Sequence, residues 1–394
     1  MPKGIWVLGL GSLFMDMSSE LVHSLLPVFL VTSLGASMIT VGVIEGVAEA
    51  TAAITKVFSG ALSDYFRNRK FLMVFGYGLA ALTKPLFPLA ASANWVFTAR
   101  FIDRIGKGIR GAPRDALVTE ITPQGRRGAA FGLRQALDSV GALLGPLLAV
   151  FLMLIFLNDI RMVLWFAVIP AVVAVVILFL FIQEPARERP AASLPASKRL
   201  HFSLQSMKRF PRSFWMTVLL GSVFSLARFS EAFLVIRAQG VGLEMAYVPV
   251  VMIVMNALYS GAAWPAGAAA DRFDKHTLLL MGLLLLIIAD VVLALASSPS
   301  MVFAGAALWG LHMAFTQGLL SKLVADSTPE AILGTGFGIF NLVSGLSLLL
   351  ASVIAGTLWT SFGASATFFT GAGFAAVTAI GLVVMTNRAQ HHSG

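Results

Sequence analysis

The apolar residues of this chain recur in stretches of eighteen or more, and that length is what most constrains the fold. An α-helix rises ~1.5 Å per residue, so about twenty residues cross a ~30 Å hydrocarbon core. A soluble domain has no use for so many such runs. The chain is 58% hydrophobic and 12% charged, against roughly 25% charged in an ordinary soluble domain. Alternating ten-residue strands are absent, so the sequence predicts a helical bundle that satisfies its own backbone hydrogen bonds rather than a barrel.

Loops and helix breakers divide the chain into twelve spans: 5–32, 39–63, 71–91, 95–117, 128–157, 162–182, 213–237, 246–270, 277–296, 300–325, 333–361 and 365–386. The first follows Lys3, carries Asp16 and Glu20, has no convincing cleavage site and reads as a retained helix. Arg67, Arg69 and Lys70, then Arg126 and Arg127, then the run from Arg187 to Arg212, then Arg272 and Lys275 fall in alternate connections. Connections of the other parity, around Gly35, Ser92, Ser298 and Gly363, hold no lysine or arginine. The asymmetry predicts that both termini are cytoplasmic in a multi-pass protein of the inner membrane. It also accounts for the net charge of +9 without nucleic acid. Segment 183–212, basic and containing Pro185, Pro190 and Pro195, reads as a cytoplasmic linker between residues 1–182 and 213–394.

The two parts share sequence. Gly60-Ala-Leu-Ser-Asp64 recurs as Gly267-Ala-Ala-Ala-Asp271, and Val118 to Arg134 aligns without gaps to Val324 to Phe340, offsets of 207 and 206 residues. Two matches at nearly one spacing indicate a duplication.

With these residues in place, the chain resembles the major facilitator superfamily. Gly60, Leu62, Asp64, Arg69 and Lys70 fit the superfamily's loop after the second helix, with Arg67 where a glycine is usual. Arg100, Asp103 and Gly106 fit its fourth helix, with Arg104 replacing another glycine. Gly141, Gly145 and Pro146 on the fifth span resemble an element associated with exporters and antiporters. The resemblance implies an all-α membrane fold of twelve transmembrane helices in two pseudo-symmetric six-helix halves, with a substrate site near the midplane between them. Gly60, Asp64, Arg69, Lys70, Gly267 and Asp271 are then gate residues, and Arg110, Arg114 and Asp115 are expected to pair with Asp64 near the cytoplasmic end.

A charge at a helix centre costs roughly 2.5–3.5 kcal/mol, so intramembrane charges need partners or water. At about 100° per residue, Asp16, Glu20 and His23 share a ~60° arc of the first helix, and Glu45, Glu49 and Lys56 a ~40° arc of the second. Arg100, Asp103, Arg104, Lys107, Arg110, Arg114 and Asp115 lie within a ~140° arc of the fourth, and Arg134 and Asp138 sit one turn apart on the fifth. Four helices are thus expected to line one wet cavity. Glu49, Asp16 and Asp138, with Glu20 and Glu45, are the expected proton-coupling acids. Arg104, Lys107, Arg100, Asp103, Arg134, Arg228, Glu231, Asn256 and Asn341 are the expected substrate-cavity residues.

These features point to a proton-coupled transporter, an antiporter exporting a small polar or amphipathic organic solute by alternating access. Proton symport of a metabolite and export of a divalent metal, on Asp16, Glu20 and His23, are alternatives. A membrane receptor or enzyme is the rival class, but the chain has no ATP-binding loop, His-Glu-x-x-His zinc motif or nucleophile elbow. The expected partners are a small-molecule substrate, protons and membrane lipids, with no nucleic acid, cofactor or resident metal, and the expected state is a monomer. With no cysteine, the chain holds neither disulfide nor thiolate site.

Overall fold

The computed structural model describes residues 1–66, 68–183, 210–269, 273–329 and 332–391, with the side chains of 60–62, 64–66 and 387–391 outside that description. The segment read as a linker and the gate side chains Gly60, Asp64 and Asp271 therefore fall, wholly or almost so, outside the described residues. Twelve helical spans run in order: α1 (Lys3–Val28, extended by a π turn at Phe29–Ser33), α2 (Met38–Phe66), α3 (Arg69–Thr83), α4 (Ala93–Ile121), α5 (Arg127–Ile155) and α6 (Ile160–Trp165 as α6a, Val168–Phe181 as α6b). There follow α7 (Arg212–Ala227 as α7a, Ala232–Gly240 as α7b), α8 (Val250–Ala269), α9 (Lys275–Leu295), α10 (Pro299–Ser327), α11 (Leu333–Phe362) and α12 (Ala364–His391).

Local chemistry sets several of these boundaries. Asn68, Ser92, Asp159 and Asp274 each accept a hydrogen bond from a backbone N–H of the first turn they precede, as N-cap residues do. The α6 break falls at Phe166 and Ala167, where the ring of Pro170 crowds the carbonyl four residues earlier. Nine described helices are long and apolar enough to cross a membrane. Of the other three, α3 is too short, α4 carries too many charges, and α10 is not apolar enough over any eighteen residues.

One packing scheme occurs twice. Helix α1 packs on α5 and α6, α2 on α4, and α3 on α4 and α6; six helices later α7 packs on α11 and α12, α8 on α10, and α9 on α10 and α12. The two sets meet along α2 with α11 and α5 with α8, a pair of contacts that the same twofold relation interchanges. The fold is all-α, with two pseudo-symmetric six-helix halves. Apolar side chains such as Leu82, Phe179, Trp264 and Phe362 face outward, as lipid contact requires.

Small residues let the α2–α11 seam close. A Cβ on Gly42 would strike the carbonyl oxygen of Ser352, one on Gly356 the carbonyl oxygen of Met38, and one on Gly345 would lie 3.0 Å from Ala53 Cβ. The close approach substitutes van der Waals packing for hydrophobic drive, which lipid does not supply. A Gly356→Val substitution should therefore disfavour this conformation by about 1–3 kcal/mol. Because Leu30 is wholly buried here, a cysteine at Leu30 in that background should react faster with a thiol reagent than the same cysteine beside Gly356. Equal rates would show that the seam does not hold this end shut.

Candidate functional site: a charged cavity between the halves

The polar stripe of α4 serves three neighbouring helices and the turn after α3. Arg100 and Arg104, one turn apart, meet Glu45 at 2.8 Å and Glu49 at 3.4 Å, two rungs of a ladder between α4 and α2. Asp103, on another side of the stripe, meets Lys84 at 2.9 Å, and Lys84 also donates to Ser19 Oγ at 3.1 Å. Farther along, Arg110 approaches Asp16 of α1 at 3.7 Å and lies over the Tyr77 ring, 4.4 Å from its centroid. Arg114 donates to Ser12 Oγ at 3.0 Å and faces Asp138 of α5 at 3.9 Å.

Exposure grows along these helices toward the face that carries residue 3, here the terminal face. On α2, the Glu45 side chain is 1% exposed and Glu49 is 40% exposed, and Lys56 is exposed. On α4, Arg100 and Arg104 are buried while Lys107 is exposed. At the opposite, far face, α1 is sealed from Leu25 to Leu30 and α7b from Ala232 to Val235. The molecule is thus open at the terminal face and closed at the far face.

The opening leads to a cavity of about 430 Å³ walled by Asp16, Glu20, Glu49 and Asp138, by Lys56, Lys107, Arg110 and Arg114, and from the second half by Asn256, Tyr259, Ser260 and Leu348. Asn256 donates to the Ala142 carbonyl at 3.3 Å, and Tyr259 hydrogen bonds Gln317 at 3.0 Å. Acids and bases therefore alternate around one water-accessible space between two bundles.

A family model described as Major Facilitator Superfamily matches residues 8–264 and 233–393. The chain belongs to the major facilitator superfamily. It is 30% identical to an uncharacterised MFS-type transporter of Methanocaldococcus jannaschii, over 91% of this chain and 89% of that one. A shorter likeness, 30% over 34% of this chain and 33% of the relative, is to the multidrug resistance protein MdtH of Photorhabdus laumondii. Among solved structures, the nucleoside transporter NupG superposes with a TM-score of 0.78 at 14% identity, covering 98% of this chain and 99% of that one. A POT family transporter superposes at 0.80 and 13% identity, covering 99% and 97%. The family and fold are those of transporters and not of enzymes.

Within this superfamily member, several site residues lie elsewhere than the sequence suggested. Arg100 and Glu45 are buried behind the cavity rather than in its wall, and Asp103 is turned away toward Lys84. Arg134 is tied to Asp138 at 2.5 Å and lies 3.9 Å from Asp115, below the wall rather than in it. Arg104, Arg228, Glu231 and Asn341 are also not among the wall residues; Arg104 is buried behind Glu49, which is one of them. Arg69 pairs with Glu120 at 2.7 Å, and Lys70 lies over the Phe179 ring. A Cβ at Gly267 would meet open space. The Gly141 and Gly145 pair seats α5 on α1: a Cβ would strike the Leu13 carbonyl oxygen at Gly141 and lie 2.6 Å from the Met17 carbonyl oxygen at Gly145. That contact lies inside one half and not at the seam between halves. Pro146 is accommodated in the middle of α5.

Histidine 23 sits between Glu20 and Glu45, 3.6 Å from each, while Asp16 faces Arg110 instead. No group of three or more His, Asp or Glu able to hold a metal occurs among the described residues. Sequence reasoning missed Lys84, because a lone lysine at a span end reads as an interfacial anchor. It also missed Tyr259, Ser260, Gln135 and Ser139, all in the cavity wall, whose neutral side chains carry no signal in a membrane helix. Asp290 was missed as well; it is fully buried on α9, with neither carboxyl oxygen hydrogen bonded, beside Gly371.

Proposed function

We propose that this chain is a proton-coupled antiporter that exports a small polar or amphipathic organic solute across the inner membrane, with the terminal face cytoplasmic. The observation that carries the proposal is the charged cavity, open on the side of the basic loops, closed on the other by a glycine-lined seam and walled by both halves. Alternating access needs those three features: a site near the midplane, a seal that opens and two bodies that rock around them. The likeness to MdtH, whose name denotes drug resistance, favours efflux, as does the Gly141, Gly145 and Pro146 element.

The pairing pattern favours Glu20 with His23 as the coupling pair over Glu49 and Asp16. Glu49, Glu45, Asp16 and Asp138 each face an arginine, and arginine stays charged across physiological pH. Glu20 faces an imidazole, the side chain that exchanges protons near neutrality. A solute cation or a proton competes for Glu20 without having to displace a guanidinium, while the arginine-paired acids hold the surrounding helices in register.

Purified protein in liposomes, screened with candidate solutes, tests the proposal. An outward solute gradient should drive protons in the opposite direction, and an imposed pH gradient should drive solute uphill. Co-directional fluxes would replace antiport by symport, and solute flux without proton flux would overturn coupling altogether. Orientation is read in the same vesicles with a membrane-impermeant thiol reagent. Single cysteines at Arg127 and at Ser298 should label from opposite sides.

A further inference from the structure

We propose that the solute is amphoteric, with its anionic group held by Arg228 and its cationic group by Glu231, the two charges of the break in α7. The proposal rests on the cavity being the way in to the solute site and names the chemistry of what enters it: Arg228 and Glu231 are not among the wall residues but stand, partly exposed, at the break of α7, whose second segment packs on α1 of the other half.

Arginine 228 and Glu231 are three residues apart. On an intact helix that spacing places opposite charges side by side, where they pair. Here the helix stops at Ala227 and resumes at Ala232. The backbone at Arg228 adopts φ −108° and ψ 69°, outside the helical region, and the two side chains form no ion pair. The break is held from behind. Phe229 packs against Trp309, Phe233 and Phe368, with ring centroids 5.4, 5.7 and 5.5 Å away, and the Ser230 N–H donates to Ser352 Oγ at 3.3 Å. A discontinuity in a membrane helix persists only where it is buried in protein or lines a wet cavity. This one is anchored through residues 229 and 230 and leaves the side chains of 228 and 231 with no ion pair or hydrogen bond among the described residues.

Both side chains are partly exposed and address the other half. The second segment of α7 packs on α1, the helix of Glu20 and His23, and the charges of Arg228 and Glu231 act on each other and on Glu49 without any of them closing to an ion pair with Arg228 or Glu231. The guanidinium lies over the Phe224 ring, 5.7 Å from its centroid, and its Nε is buried with no hydrogen-bond partner. An uncompensated charge at this depth is costly, and a retained pair of opposite, separated and unpaired charges is the arrangement a ligand bearing both charges would satisfy. Lys107, in the cavity wall and in no ion pair among the described residues, adds positive potential to the cavity.

The experiment uses the full-length protein in detergent at fixed pH, with melting temperature and calorimetric titration as readouts. The probes are α-, β- and γ-amino acids, alkyl and aromatic, each compared with its methyl ester and its N-acetyl derivative. Amphoteric members should stabilise the wild type, and esterification or acetylation should each weaken binding by roughly 30-fold or more, the loss expected when one partner of a desolvated charge pair is removed. Arg228→Gln should lose the preference for the free carboxylate while keeping that for the amine. Glu231→Gln should do the reverse, and Arg228→Lys should retain most of the binding, which separates recognition from misfolding. Binding of esters and N-acetyl compounds as tightly as their parents would overturn the proposal, and so would the absence of any response to amphoteric members. No gradient is applied, so failure of proton coupling leaves this result standing, and failure here leaves coupling to be judged in vesicles.

Discussion

Replacing Lys84 by methionine should destabilise the protein by about 3–5 kcal/mol, the usual consequence of removing one member of a buried ion pair. Lys84 and Asp103 are 1% and 4% exposed, 2.9 Å apart, with no other base in an ion pair with Asp103 among the described residues. The methionine fills similar volume, so packing is nearly conserved and the effect isolates the stranded carboxylate. Adding Asp103→Asn should restore most of the loss, because two neutral side chains of similar shape need no charge compensation. The melting temperatures of the two single variants and the double variant, read in one detergent, decide this. A double variant as unstable as the worse single one would mean that the pair matters through shape rather than charge.

Glutamine at Glu20 should abolish proton-driven solute accumulation in vesicles, by at least about tenfold in initial rate for a lost general acid–base group, while solute exchange without a gradient continues. Glutamine at Glu49 should act differently. It frees Arg104, now 3.4 Å away, and should slow exchange and accumulation together, because a wall charge and a helix-to-helix rung are lost while the proton carrier remains. The comparison uses equal amounts of monodisperse wild type and both variants, with proton flux and solute flux recorded in the same vesicles. Unchanged proton-to-solute stoichiometry in Glu20→Gln would remove Glu20 and His23 from the coupling step. Loss of stoichiometry only in Glu49→Gln would return that role to Glu49, named first among the expected proton-coupling acids.

What the sequence by itself determined is the set of features that each helix fixes alone. Spans follow from run length because the bilayer sets that length. Helix starts at Asn68, Ser92, Asp159 and Asp274 follow from side chains that cap their own first turn. The polar arcs of α1, α2, α4 and α5 follow from helical periodicity, and those four helices do carry the charged wall of the cavity. The duplication was legible too, since sequence offsets survive where the helices themselves have diverged in charge.

Only the tertiary structure decided which charge answers which. Periodicity names the polar face of a helix, but a ~140° arc on α4 is wide enough to address several neighbours. Arg100, Asp103, Arg104 and Arg110 consequently meet Glu45, Lys84, Glu49 and Asp16, four partners at four depths. Their burial, and so their division into packing pairs and cavity walls, depends on where α2, α3 and α1 come to rest. The interruption of α7 was equally illegible. Residues 227–232 contain neither glycine nor proline, and the break is sustained by the aromatic cluster around Phe229 and by Ser352 of α11, contacts that exist only once distant parts of the chain have packed together.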